Sequence, residues 1–509
     1  MIFFSQTLTV AEGGPKLRMV SACLLELCCS TWGSLSTQYS STKSGTVHTG
    51  YDVNRRIVAS ASACGMGFYQ VRRFFAMMGL PAPVSESTWC DLKKRIHPVI
   101  NRAANIHLQE AAAHVYADTN LGMPDRDGVL DISVSIDGSW QKRGRTSKNG
   151  IVTVIDTMTG LILDFVTLSN YCHECDTGPA PDDASYADFI AKHQPKCQKT
   201  IDCSSGAMEM EGAVIIFRRS IQLHGFRYSQ MLGDGDAKTY ARVCEDDPYD
   251  GRPIEKLECV NHVTKRMGTA LRNLVQNKKA QGQPIGGKGK LTDLRIKKLT
   301  NYYGRAIKDN RGDLIAMQDA VWASFLHTVS TNDSHNHTKC PEGRESWCFN
   351  QRALADGVPP PDHPHPLPPV VASALKPVYE RLGDPQLLSR CLEGKTQNSN
   401  ESFHSLMWRI CPKERWSSMR TVDAGLAIAV QRFNKGSTAL LDMVLELELM
   451  VGPILEEFAG KEGTARVVSS TRKSSSKERE RRKRIDTAKR VEQQQRREQE
   501  GEVYGAGQF

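Results

Sequence analysis

The sequence predicts an α/β fold: a mixed β-sheet broken by a large helical insertion, with a helical region before it and a basic tail after it. Three observations carry this prediction. Between residues 129 and 168, apolar and β-branched residues recur in three short runs separated by turn residues. A helical pattern from Ala207 to His224 leads into a fourth run, Arg227 to Leu232. From Lys265 to about Leu392 the apolar spacing is helical almost throughout.

Taken in order, residues 1–50 are poorly defined. Their one apolar stretch, Val20 to Cys29, is interrupted by Glu26 and followed by no clear cleavage site. It reads as a core helix, or as the scar of a truncated gene model, rather than a signal peptide. No apolar run approaches the ~20 residues a membrane span needs. Residues 51–126 are helical, with Tyr69 to Met78 and Trp89 to Tyr116 separated by Leu80-Pro81-Ala82-Pro83. Residues 127–431 form the next domain. Its strands Val129 to Ile136, Ile151 to Ile155 and Leu161 to Leu168 make an antiparallel meander, with a turn at Thr157 to Gly160. Leu257 to Val263 reads as a fifth strand, and the helical insertion occupies about 265–395. A Pro-rich loop spans Pro359 to Pro369, and another helix starts near Ser399. A C-terminal helix over 432–462 precedes a basic, low-complexity tail over 463–509 that is a solvated helix or lacks order.

Charge is unevenly spread. The net charge is +9, yet Lys256 to Arg311 alone holds fourteen Lys/Arg against three Asp/Glu, and Arg472 to Glu500 twelve against six. Basic blocks in an otherwise acidic chain point to a polyanionic partner meeting one surface. Phosphate neutralisation would fall to Lys265, Arg266, Arg272, Lys278, Lys279, Lys288, Lys290, Arg295, Lys297 and Lys298. Gly286-Gly287-Lys288-Gly289-Lys290 has the wrong spacing for a phosphate-binding P-loop. Fifteen cysteines without a credible signal peptide favour metal ligation over disulfides.

Two acidic motifs stand where strands end: Asp137 after Ile136, and Asp234 with Asp236 after Leu232. A third acid, Glu401, lies in the first turn of a helix that Ser399 or Asn400 can cap. Phosphodiester cleavage by two metal ions needs such hard oxygen ligands. Asp-Gly pairs are also ordinary turn residues, and spacing alone does not decide between the two.

Cys172, Cys175, His193 and Cys197 have the pairing that suits tetrahedral, structural zinc, with Cys203 as the alternative to His193. Cys259 and His262 are half a metal site. His335, His337, Cys340 and Cys348 form a weaker second group, short of a convincing fourth ligand. No Cys stands out as an activated nucleophile, which argues against a Cys-His hydrolase.

Several motifs together resemble one family. Ser135-Ile136-Asp137-Gly138-Ser139-Trp140 with Arg143-Gly144, Cys172 with Cys175, Ser204 to Glu209, Gly233 to Asp236 and Asn400-Glu401-Ser402 look like the Mutator-like transposase domain of arthropod and cnidarian genomes. The resemblance spans roughly Tyr51 to Gln431, and Tyr504 to Phe509 also looks like that family's C-terminus. It implies an RNase H-like fold with a helical insertion before the last acid. It implies a catalytic triad of Asp137, Asp234 and Glu401, with Asp236 as the alternative second acid, holding two Mg²⁺ or Mn²⁺ ions. Cys259 and His262 stand where the family has a Cys/Asp-x₂-His motif, as support for the active site. The expected partner is double-stranded DNA, bound by a homo-oligomer in the nucleus, with no membrane. The alternative reading is a catalytically inactive or domesticated DNA-binding relative. A nuclease without strand transfer would share the same site.

Overall fold

The computed structural model describes residues 8–12, 24–29, 33–39, 43 and 50–500, except 119–121, 143–145, 235–236 and 364–365. The chain divides into two compact units. One comprises 1–61, 68–103 and 435–509, the other 62–67 and 104–434.

The first unit begins with an antiparallel sheet of β1 (Leu8–Glu12), β2 (Leu24–Cys29) and β3 (Gly33–Tyr39), in that order. The apolar run expected as a core helix therefore ends in a strand: Leu8 pairs with Cys29 and Leu24 with Tyr39. A run this short suits either element, and two pairing partners decide it. Helices α1 (Asp52–Ala63), α2 (Phe68–Met77) and α3 (Glu86–Tyr116) follow. In α3, Trp89, Leu92, Ile96, Val99 and Ile100 recur at helical spacing and are buried.

The second unit holds a five-stranded mixed sheet. Strands β4 (Leu130–Trp140), β5 (Asn149–Asp156) and β6 (Ile162–Ser169) form the antiparallel meander. Short helices α4 (His173–Thr177) and α5 (Tyr186–His193) lead to α6 (Met208–His224). This last helix packs on the sheet, with Gly212 against Val152 and Leu168. Strand β7 (Phe226–Gly233) then runs parallel to β4, and after α7 (Ala237–Asp246) the short β8 (Glu255–Glu258) runs parallel to β7. The strand order is β6-β5-β4-β7-β8. Ile132, Val134, Ile136, Val154, Phe217, Phe226 and Met231 share one buried core.

The expected fifth strand is shorter than its apolar run. It stops at Glu258, Cys259 caps the next helix, and α8 runs Val260–Ala280. Val260, Val263, Met267 and Leu271 are buried at helical spacing, so the run serves two elements. The insertion continues with α9 (Asp293–Asp309), α10 (Leu314–Val329), α11 (Phe349–Ala355), α12 (Pro369–Leu382) and α13 (Pro385–Ser389). It has a core of its own that includes Leu271, Tyr303, Val321 and Tyr379. Helix α14 (Asn398–Ile410) returns to the sheet, and α15 (Met419–Lys435) follows. Residues 432–462, expected as one helix, contain the end of α15, all of α16 (Ala439–Glu446) and the start of α17 (Pro453–Ser474). The tail is helical as α18 (Ser476–Glu500). No helix among the described residues is long and apolar enough to cross a membrane.

Candidate active site

Strands β4 and β7 are parallel neighbours with Ser135 opposite Leu232; β7 stops at Gly233 while β4 continues to Trp140 along β5, so Asp137 lies within its strand rather than at the end that the sequence suggested. Asp137 and Asp234 each stand two residues beyond that pair. Helix α14 brings Glu401 to them and is fastened to β4 at three points. Gln397 Nε2 donates to the Ile136 carbonyl at 3.0 Å, Ser135 Oγ to Asn400 Oδ1 at 2.7 Å, and Trp408 Nε1 to Ser139 Oγ at 2.8 Å. These anchors bracket Asp137 on both sides. Asn400 is thus a buried tie rather than the helix cap, and Gln397 occupies the cap position.

The Asp137 carboxyl feels the other two acids. Burial pushes the Asp137 pKa up to about 7, and the charges of Asp234 and, more weakly, Glu401 push the same way. His404, one turn beyond Glu401, places Nδ1 3.6 Å from Asp137 Oδ2. Burial, helped by Lys413, lowers its pKa to about 4, so the imidazole is neutral at pH 7. Gly138 leaves room for α6: a Cβ there would lie 2.9 Å from Glu209 Cγ and 3.0 Å from its carboxylate. Asp236 and the Arg143-Gly144 pair lie outside the described residues.

Cys259 and His262 meet at Gln397. The Cys259 sulfur, fully buried, accepts from the Gln397 backbone N–H at 3.3 Å. His262 Nδ1–H donates to Gln397 Oε1 at 3.1 Å, while its Nε2 lies 3.8 Å from Glu401 Oε1. Since Gln397 also holds the Ile136 carbonyl, the pair positions the start of α14 against the strand that carries Asp137. No sequence motif marked Gln397. His404 was legible in principle, because it lies three residues after Glu401 on the same helix face.

A second constellation lies beyond β6. Cys172, Cys175, His193 and Cys197 bring one ligand atom each within 4.8 Å of the others. His193 Nε2 is 3.4 Å from Cys172 Sγ and 3.1 Å from Cys175 Sγ, and the sulfurs of Cys175 and Cys197 are 3.5 Å apart. Those separations are close to the roughly 3.6–3.8 Å edges of a zinc tetrahedron built from ~2.1 Å and ~2.3 Å bonds. His193 Nδ1–H donates to Glu174 Oε2 at 2.7 Å, which leaves Nε2 free to ligate. Cys203 is outside the cluster and packs against the sheet core instead.

The model of the Mutator-like transposase family matches residues 13–348, about two thirds of the chain. The chain belongs to the Mutator-like transposase family. Membership implies a DNA-processing enzyme, with DNA as its partner. The match includes Asp137, Asp234 and the cysteine cluster and ends before Glu401. No curated protein matches the chain.

In this transposase-family chain some basic residues stand beside the acids, some bond within their own segment and others are exposed. Lys265 Nζ stands 3.7 Å from Glu401, and Arg266 bonds Glu258 at 2.8 Å and the Asp234 carbonyl at 3.1 Å. Arg266 therefore braces the acidic strand ends. Lys290 donates to the Pro284 carbonyl and Lys278 to Gln283. Lys265, Arg272 and Lys279 follow at seven-residue intervals along the exposed side of α8, and Lys288 is exposed in the next loop. Arg295, Lys297 and Lys298 lie on α9, where the Lys298 ammonium sits 5.5 Å from the Tyr302 ring centre. Close packing of the two helices rests on Gly304, where a Cβ would meet Thr264 at 2.7 Å.

Proposed function

We propose that this chain is a DDE transposase of the arthropod and cnidarian Mutator-like type, cutting and joining DNA at transposon ends. The observation that carries the reading is the meeting of Asp137, Asp234 and Glu401 at one edge of the sheet, close enough for two of them to raise the pKa of the third. The strand order, with one acid within β4 and another directly after its parallel neighbour β7, supports an RNase H-like core.

The donor set fits divalent Mg²⁺ or Mn²⁺. It is three hard carboxylates, and the raised Asp137 pKa marks a buried carboxyl beside two further acids. Two such ions, when bound, supply an activated water and stabilise the leaving oxygen. The chain's own residues do the rest. Asp137 holds a fixed position because it is paired within β4 and Asp234 because it directly follows β7, and Gln397, Asn400 and Trp408 keep the Glu401 helix in register. Neutral His404 touches Asp137 without cancelling its charge. Lys265, Arg272 and Lys279 line one helix side suited to a phosphate backbone, and the tail's Arg481-Arg482-Lys483-Arg484 supports nuclear import. Cys172, Cys175, His193 and Cys197 would hold a structural zinc, with no open position for chemistry. We place the active form as a homo-oligomer on double-stranded DNA.

The test is Mn²⁺- or Mg²⁺-dependent cleavage and joining of element-end DNA by the purified chain, beside Asp137→Ala and Glu401→Ala. Both variants are expected to fall to background while retaining DNA binding. A wild type that binds its own element ends in a salt-sensitive way and never cuts them would establish a domesticated DNA-binding relative instead. Cleavage without joining would leave a nuclease.

A further inference from the structure

The helical insertion contains a second closed cluster of metal-ligating atoms, distant in sequence from the first. Its members are His327 in the last turn of α10, His337 and Cys340 in the loop that follows, and Cys348 at the cap of α11. His335, adjacent in sequence to the group, is exposed and takes no part. His327, ten residues before His337, supplies the fourth ligand that the sequence did not offer.

Four separations define the cluster. The Nδ1 atoms of His327 and His337 are 3.2 Å apart. Cys340 Sγ lies 3.9 Å from the first and 3.8 Å from the second, and Cys348 Sγ lies 3.5 Å from His337 Nδ1. A zinc tetrahedron with two nitrogens at ~2.05 Å and two sulfurs at ~2.3 Å has edges of about 3.4 Å between nitrogens and about 3.6 Å from nitrogen to sulfur. The observed values fall within a few tenths of an ångström of those edges. Charge fits as well. Zinc displaces both thiol protons, and two thiolates then cancel its charge, so a neutral complex occupies a site where three of the four ligands are buried.

We propose that His327, His337, Cys340 and Cys348 bind a second structural zinc ion. The need for one is visible in the chain. Residues 330–348 join two helices without a regular element of their own, a length uncommon for a loop inside a compact unit. The ion ties the two ends of that segment to its middle. Its surroundings are already braced: His337 and Cys340 close a turn through a 3.0 Å backbone bond, Gln351 Nε2 donates to the His337 carbonyl, and Ser346 Oγ accepts from the Cys348 N–H. Trp347, next to the Cys348 ligand and half-exposed, stacks on Tyr302 of α9 with ring centres 6.5 Å apart. The ion thereby holds one aromatic side chain against the basic helix α9. This assignment stands independently of the catalytic reading.

Metal analysis of the full-length protein tests it. Wild type is expected to carry two zinc equivalents, one for each cluster. Cys340→Ser/Cys348→Ser and Cys172→Ser/Cys175→Ser should each lose one equivalent. Cobalt substitution of the latter variant should give the ligand-field bands of tetrahedral coordination by two sulfurs. Because either variant can fail to fold, a second measurement uses wild type alone. Alkylation of Cys340 and Cys348, followed peptide by peptide, should be slow until a strong zinc chelator is added. A Cys340→Ser/Cys348→Ser protein with undiminished zinc, or alkylation of both cysteines at a rate indifferent to chelator, would overturn the assignment.

Discussion

Replacing Asp137 by Asn removes a carboxylate that the fold holds against its own preference for charge. An unfolded Asp loses its proton near 3.8, whereas Asp137 in the folded chain keeps it to about 7. Below about pH 3 both states are largely protonated and the residue costs almost nothing. Between there and 7 the folded state binds more protons than the unfolded one, so stability falls as pH rises. Above 7 the full cost applies. Three pKa units correspond to about 4 kcal/mol at ~1.36 kcal/mol each. The side chain keeps 23% of its exposure, and solvent screening brings the figure to roughly 2 kcal/mol. Asp137→Asn should therefore be inactive yet more stable, by a melting shift of roughly 3 °C in a unit of this size. The assay is thermal unfolding near pH 8 without Mg²⁺ or Mn²⁺ and without chelator, so that any zinc stays bound. Near about pH 5.5 the gap between variant and wild type should be roughly halved. Added Mn²⁺ should raise the wild type and leave the variant unmoved. A variant that melts at or below wild type near pH 8 would refute the claim that burial beside Asp234 and Glu401 disfavours the charged form of Asp137.

Two further outcomes follow from local geometry. Gly212→Ala would put a Cβ 2.5 Å from Val152 Cγ2 and 3.1 Å from Leu168 Cδ1. Overpacking of about 1–3 kcal/mol outweighs the up to ~1 kcal/mol that Ala gains over Gly in a helix, so urea denaturation should show a net loss of about 1–2 kcal/mol. Unchanged stability would mean that α6 lies farther from the sheet than described. Glu174→Gln leaves the Cys172 cluster its four ligands but weakens the partner of His193 Nδ1. Competition with a chromophoric chelator should show zinc held roughly 10–100-fold more weakly, and unaltered retention would show that Glu174 does not orient the ring.

The legible parts of the molecule were those with strong local pattern. The meander from Val129 to Leu168, the helix ending at His224 and the strand ending before Asp234 each announce themselves through period and flanking turns. Asp234 and Glu401 were legible because they stand after a strand and in the first turn of a helix, Asp137 because it follows a strongly patterned apolar run although its strand continues past it, and the Cys172 cluster because its four ligands fall in two close pairs. Leu257 to Val263 misled because one apolar run serves both the end of β8 and the first turn of α8, and seven residues are too few for the period to separate them. Val20 to Cys29 misled for the same reason.

By itself the sequence determined which segments are strands and helices wherever a period ran long enough, and which residues have chemistry suited to metal or phosphate. Those properties belong to single residues and their near neighbours. Tertiary structure decided what depends on residues far apart in the chain. It brought Gln397 to Cys259, His262 and Ile136, and it set His404 beside Asp137. It moved the Asp137 pKa, because burial and the charges of Asp234 and Glu401 act only once parallel strands and a returning helix share one edge. It also chose His327 over His335 for the second cluster, since ligand geometry is fixed in space and carries no memory of distance along the chain.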